Sequence, residues 1–286
     1  MTSNDAAQSL LRRLCFLEDD GPLGSVTAAY TFERDFDSPW TWPDLPFDTG
    51  VAASRYPLDS RSDIDAIIDR AGTTVGTRAP AALRFVNDEL ERVLLRRSDA
   101  VAGASSSSNR AHIGASVWTN LERAPECIHA CIEGLVHEAV HQYLYRAERD
   151  GGNLCDLDDA RRFRSPWSGN RIPLHSLVHA GLVWFSLLTL WCQLARTPVD
   201  ESERHLFGER VARILFGFTF LEQVFDDRSF PTHGVDPRIG SLLRQIARSC
   251  SVVRPANQAL TVRHLVQLIE TGDWVVPLSA RIGELR

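Results

Sequence analysis

The sequence predicts a mainly α fold with one small β element, and three observations predict it. Apolar residues recur at helical spacing through most of the chain. The stretches that read as strands are few and short, and proline and glycine clusters punctuate the periodic segments. With 286 residues, 44% of them hydrophobic, the chain is long enough for a substantial core and is expected to form a single domain, 1–286. Its central part, at about 111–196, is flanked by a helical and irregular part, 1–110, and a helical part, 197–286.

From the N-terminus, helical periodicity is visible at 10–17, at 64–68 and most strongly at 81–95, where Leu83, Val86, Leu90 and Leu94 align. The run Ser38-Pro39-Trp40-Thr41-Trp42-Pro43 predicts an irregular wrap packed by tryptophans, because proline lacks a donor and restricts the residue before it. Residues 103–109, with four consecutive serines, read as a loop. The β-branched and aromatic residues of 111–118 predict a short strand, whose edge would suit an extended peptide.

A helix is expected from Pro125 to about Glu148, stopped by Asp150-Gly151-Gly152-Asn153. The polar stretch of about 149–172 then reads as a long loop, with acidic Asp156, Asp158 and Asp159, basic Arg161, Arg162 and Arg164, and Ser165-Pro166-Trp167. Loops of that length are commonly functional lids or disordered. Pro173 opens an apolar helix to about Arg196, and further helices are expected at 201–225, 237–249 and 261–270.

A formal charge of −6 offers no basic field for a phosphate backbone, so nucleic acid is not an expected partner. All 31 basic residues are arginine, which excludes a catalytic lysine. The six cysteines are dispersed and form no Cys-x-x-Cys pair, which predicts buried free thiols. The start of the chain lacks the pattern of a signal peptide, and the apolar stretch 174–195 carries His175, Ser176, His179, Ser186 and Gln193, too many polar groups for a membrane span. The expectation is a cytoplasmic protein with no membrane partner; its oligomeric state is not legible.

The chemistry-bearing motif is His137-Glu138-Ala139-Val140-His141. On a helix, residues four apart share a face about 6 Å apart along the axis, so both imidazoles can reach one ion about 2.0–2.1 Å away, with Glu138 beside its open side. Gly134, in the same row, would admit a close neighbour. Open metal sites normally have three protein ligands, and His175 and His179, four apart on the next long helix, are the candidates for the third. One of them would bind the ion and the other would contact the ligands or substrate. His129 lies too far along the same helix, and His112, His205, His233 and His264 have no partner at ligand spacing.

Read together, His137-Glu138-x-x-His141, the loop ending Phe163-Arg164-Ser165-Pro166-Trp167, and Arg171-Ile172-Pro173-Leu174-His175-Ser176-Leu177-Val178-His179 resemble a bacterial family of HExxH-motif peptide-modification proteins. Within it the sequence is most similar to the 2-oxoglutarate-dependent HExxH-type β-hydroxylases. The resemblance covers about 111–196; Ser168-Gly169-Asn170 departs from it, since a more charged segment often follows the tryptophan.

The resemblance implies a non-haem Fe(II) dioxygenase that uses 2-oxoglutarate and O2 to hydroxylate the β-carbon of an amino-acid residue, typically in a ribosomally made peptide of a natural-product pathway. It implies His179 as third metal ligand and leaves His175 in the substrate or cosubstrate pocket. In such a site Glu138 would orient ligands or water. Three protein ligands on one face leave three positions for a bidentate 2-oxoacid and O2. The distal carboxylate of 2-oxoglutarate needs a cation, and without lysine that is an arginine: Arg171 first, Arg164 second. The alternative is a zinc metallopeptidase with Glu138 as general base. A third class is a non-catalytic helical binding module whose histidines are structural. The substrate, a peptide, a carrier-bound residue or a free amino acid, is not legible.

Overall fold

The computed structural model describes residues 3–16, 31–33, 61–97, 103–108, 110–111, 113–123, 127–196, 200–226 and 234–251. Among them are seven α-helices and six short strands, the mainly α fold with a small β element that the sequence predicts. The chain forms two compact units: a sheet unit of residues 21–151, and a helical unit of residues 1–20 with 152–286. The expected irregular wrap at 38–43 and helix at 261–270 lie outside the described residues.

In the sheet unit, α2 (Arg61–Arg78), α3 (Pro80–Glu89) and α4 (Cys127–Gly151) pack against one another. Beside them is a four-stranded sheet of β1 (Thr31–Glu33), β2 (Arg92–Arg96), β3 (Ser105–Ser108) and β4 (Ala115–Thr119), in the order β1-β2-β4-β3. β1, β2 and β4 run parallel, and β3 pairs antiparallel with β4.

Three expectations change here. The helix expected over 81–95 ends at Glu89: Leu90 turns extended, at φ −109° and ψ 117°, and 92–96 becomes β2. Val93, Leu94 and Leu95 are all buried, so this run is apolar on both faces, and periodicity cannot distinguish a doubly covered strand from a buried helix. The serine run expected as a loop contains β3, because an edge strand needs only a ladder on one side and tolerates polar side chains on the other. The strand expected over 111–118 is β4, and it is no edge: β2 and β3 pair with its two sides. No described strand pairs with the outer side of β3.

α4 stops where Gly152 takes a left-handed φ of +93°, a conformation that favours glycine and ends the helix. The segment expected as a loop at 149–172 holds the last turn of α4 and, in the helical unit, a hairpin of β5 (Arg162–Arg164) and β6 (Arg171–Pro173). Gly169, at φ +72°, supplies the turn between its strands.

The helical unit is built on α5 (Leu174–Leu194), which packs against α1 (Ser3–Leu14), α6 (Glu201–Asp226) and α7 (Pro237–Ser251). α5 is the one described helix long and apolar enough to cross a bilayer, but 83% of its most apolar window is buried in the protein, as expected of a core helix. α7 comes so close that a Cβ on Gly181 would lie 2.8 Å from Leu243 Cδ2. Five free cysteines, Cys15, Cys131, Cys155, Cys192 and Cys250, are buried. Burial pushes the thiols of Cys15 and Cys192 up to about 12, and that of Cys250 higher still.

Trp167, from the Ser-Pro-Trp turn of the hairpin, is locked onto α6. Its ring stacks on Trp184 at 5.6 Å, meets Phe218 edge-on at 5.2 Å, and donates its indole N–H to the Ile214 carbonyl at 3.3 Å. The notch that receives it is Gly217, where a Cβ would fall 1.9 Å from Trp167 Nε1. The Gly217→Ala variant should therefore expel the indole and lower stability by about 2 kcal/mol, seen as an earlier urea transition and a weakened near-ultraviolet tryptophan signal. Gly208→Ala, on the same helix where a Cβ would meet nothing within 4 Å, should match or exceed wild type.

Asp236 caps α7 by accepting the Arg238 backbone N–H at 2.8 Å, and the Arg238 side chain returns to both its carboxylate oxygens. That guanidinium, chiefly, holds the Asp236 carboxyl below its usual range. A carboxyl with a lowered folded-state pKa adds stability above its unfolded value of about 4 and loses it as pH falls through the folded value. Asp236→Asn keeps the cap and removes the charge. Its loss of stability at neutral pH, small because the Arg238 side chain is exposed to solvent, should vanish in acid when unfolding is measured from pH 7 to pH 2.

Candidate metal centre

In the sheet unit, α4 meets the sheet along a row of residues four apart, Gly134, Glu138 and Gln142. A Cβ on Gly134 would lie 3.1 Å from the ring of Trp118 on β4, so the close neighbour expected at this glycine is Trp118. Gln142, which has no exposed surface, accepts the Gly114 N–H at 2.8 Å and donates to the Ala115 carbonyl at 2.7 Å. Between them, Glu138, 1% exposed, accepts a hydrogen bond on Oε2 from the Ser108 hydroxyl of β3. Its other oxygen, Oε1, is buried with no hydrogen-bond partner among the described residues.

Each residue turns the helix by about 100°, so His137 and His141, one position before Glu138 and Gln142, project to the side of the sheet-facing row. Both are half-buried, and their ring centres are 5.0 Å apart. An ion bound by a ring nitrogen at about 2.0–2.1 Å lies about 3.2 Å from that ring's centre, so two rings at ligand angles of about 90–110° have centres about 4.5–5.2 Å apart. The pair falls within that range, a separation that a single ion allows. Tyr145, one turn on, stacks on His141 at 5.9 Å with the rings 19° from parallel. Its phenol is pushed up to about 12, first by burial and then by the negative charges of Glu138 and Glu148, with Arg110 opposing, so it stays neutral at physiological pH.

In the helical unit, His179 is buried and His175 half-buried on the first turns of α5. Their ring centres are 4.1 Å apart, and a ligand nitrogen of each lies within 4.8 Å of the other, so both imidazoles could serve one ion. Arg164 and Arg171 are exposed and face each other in register across the hairpin. Arg164 Nε donates to the Gly169 carbonyl at 3.2 Å and Arg171 Nη2 to the Arg162 carbonyl at 3.5 Å. The two arginines singled out from the sequence are thus one cationic doublet, an arrangement that an anion would relieve.

Four residues around the motif are not singled out by sequence reasoning. Ser108 is hidden in a serine run, and Tyr145 reads only as a member of the histidine row. Gln142 carries a signal, its four-residue spacing from Glu138 and eight from Gly134, but a polar residue beside a metal motif reads as solvent-facing. Glu148 is a buried carboxylate on the last turns of α4, seven residues and about 10 Å beyond His141, too far to share the His137–His141 ion. His205, unassigned from sequence, is an exposed partner of Glu209 at 3.2 Å. No protein-family model matches this sequence, and no curated protein matches it.

The Gln142 clamp sets the helix against β4, so its removal should loosen the motif. Gln142→Leu preserves volume but strands the Gly114 N–H and the Ala115 carbonyl, at an expected cost of about 2–4 kcal/mol in urea unfolding. Gln142→Glu can replace the amide only with its carboxyl protonated, so it should lie nearest wild type in acid and lose stability as pH rises above the unfolded value of about 4.3.

Proposed function

We propose that this protein is an Fe(II)/2-oxoglutarate-dependent oxygenase that hydroxylates an aliphatic β-carbon of an amino-acid residue in a peptide. His137, His141 and His179 would be its ligands, Fe(II) its metal, and 2-oxoglutarate and O2 its cosubstrates. The observation that carries the reading is the His137–His141 pair, whose 5.0 Å ring separation suits one ion. Burial of His179, with no more than 1% exposed, supports it as the third imidazole over half-buried His175.

When bound, the metal supplies the oxidative chemistry: 2-oxoglutarate and O2 go to succinate and CO2, and the second oxygen atom enters the C–H bond. The protein's own residues bind and orient. The Arg164–Arg171 doublet offers charge and paired donors to the distal carboxylate. Tyr145 packs on His141 and limits the directions that imidazole can take. Glu138, with one oxygen held by Ser108, offers the other as an acceptor. A cytoplasmic setting suits the five buried free thiols.

A zinc peptidase is the second reading, and Glu138 Oε1, which has no hydrogen-bond partner among the described residues, favours it, since a general base needs an oxygen available to water.

Anaerobic loading with Fe(II), followed by 2-oxoglutarate and O2, should give one iron per chain and succinate formation that peptide substrates stimulate. His179→Ala should lose iron on gel filtration, whereas His175→Ala should retain it with affinity weakened by about tenfold or less. Zinc-dependent peptide cleavage without succinate would overturn the oxygenase reading, and the reverse behaviour of the two histidine variants would overturn the ligand assignment.

A further inference from the structure

We infer that Ser108 is a positioning residue for Glu138: it holds Oε2 so that Oε1, which has no partner among the described residues, is presented in a fixed position to whatever binds beside His137. The inference rests on the metal-site reading above. β3 and β4 pair Ser108 with Ser116 and Ser106 with Trp118. Trp118 packs on Gly134 of α4, and residues paired in register share a face, so Ser106, Ser108 and Ser116 lie on the side of the sheet that faces α4. Ser105 and Ser107 lie on the other. Only half of the serine run therefore faces the motif helix, and of that half Ser108 reaches Glu138.

The cost of the arrangement argues for its use. A buried carboxylate oxygen with no hydrogen-bond partner is expensive, and natural structures keep few of them outside functional sites. Glu138 could lower that cost by rotating Oε1 toward a donor. Ser116, its hydroxyl buried and unpartnered among the described residues, lies directly across the ladder from Ser108. The bond from Ser108 opposes that rotation. It comes from a residue whose backbone is fixed by the ladder, against a helix fixed on the same sheet by Gln142 and Gly134. The carboxylate is thereby divided into a structural oxygen and an acceptor kept for a ligand.

The test is a double-mutant cycle of Ser108→Ala and Glu138→Ala, with Ser108→Thr as the conservative rescue and Ser106→Ala as control. It is read in three ways: the visible absorption of the Co(II)-loaded protein, succinate turnover, and urea unfolding of the metal-free protein. Ser108→Ala should shift the Co(II) bands and lower kcat roughly tenfold, the scale of one hydrogen bond to a charged group, while the KM for 2-oxoglutarate changes little. Ser108→Thr should restore both, Ser106→Ala should change neither, and Ser108→Ala should add nothing once Glu138 is Ala. Wild-type spectra and turnover in Ser108→Ala, or an undiminished effect on the Glu138→Ala background, would overturn the inference. A wild-type chain that binds no cobalt defeats the metal reading separately. The inference is then judged on unfolding, where additive losses overturn it and coupling of roughly threefold or more in the unfolding constant upholds it.

Discussion

The amide of Gln142 lies wholly out of solvent and bonds at both ends to the peptide groups that begin β4, accepting from Gly114 and donating to Ala115. A side-chain amide used this way behaves like an extra rung of the sheet, and it belongs to the helix that carries the motif. Sliding or turning α4 would strand a donor and an acceptor in a dry interior, each at a cost comparable to a sizeable part of a small protein's net stability. Gly134 permits the approach that makes those bonds possible, because Trp118 occupies the space a β-carbon would need. The directions of His137, Glu138 and His141 all follow from this seating.

The seating takes Glu138 below the surface, where its only acceptable state is one with defined partners. One oxygen has Ser108 and the other has none among the described residues. The surroundings are arranged to match: Tyr145, its phenol kept neutral by burial and by Glu138 and Glu148, packs against His141 without adding a competing charge. In the helical unit the corresponding device is Trp167, whose indole is gripped by stacking, by a hydrogen bond and by the notch at Gly217. It ties the hairpin that bears Arg164 and Arg171 to α6.

Helices with a clear start or stop were legible in advance. α4 was foreseen to within a few residues because Gly151-Gly152 ends it, and α5 because Pro173 opens it. β2 was misread as helix because Val93, Leu94 and Leu95 are buried on both faces, and such a run has no polar face to show its period. β3 was misread as loop because four serines carry no burial pattern at all. Its strand geometry comes from the ladder that β4 offers it. The edge assigned to β4 was wrong for the same reason, since neighbours in a sheet are decided by partners distant in sequence.

By itself the sequence determined the helical class, the motif helix and the donors it carries, because capping, period and spacing are local properties of the chain. It also determined that no lysine can serve as the cation for a carboxylate, because the chain has none. Tertiary structure alone decided that β4 is interior, that Ser108 holds Glu138, that Gln142 faces the sheet, and that Arg164 and Arg171 stand opposite each other. Each of these depends on which backbone groups are left to pair once water is excluded, and that is settled by elements brought together from far apart in the chain.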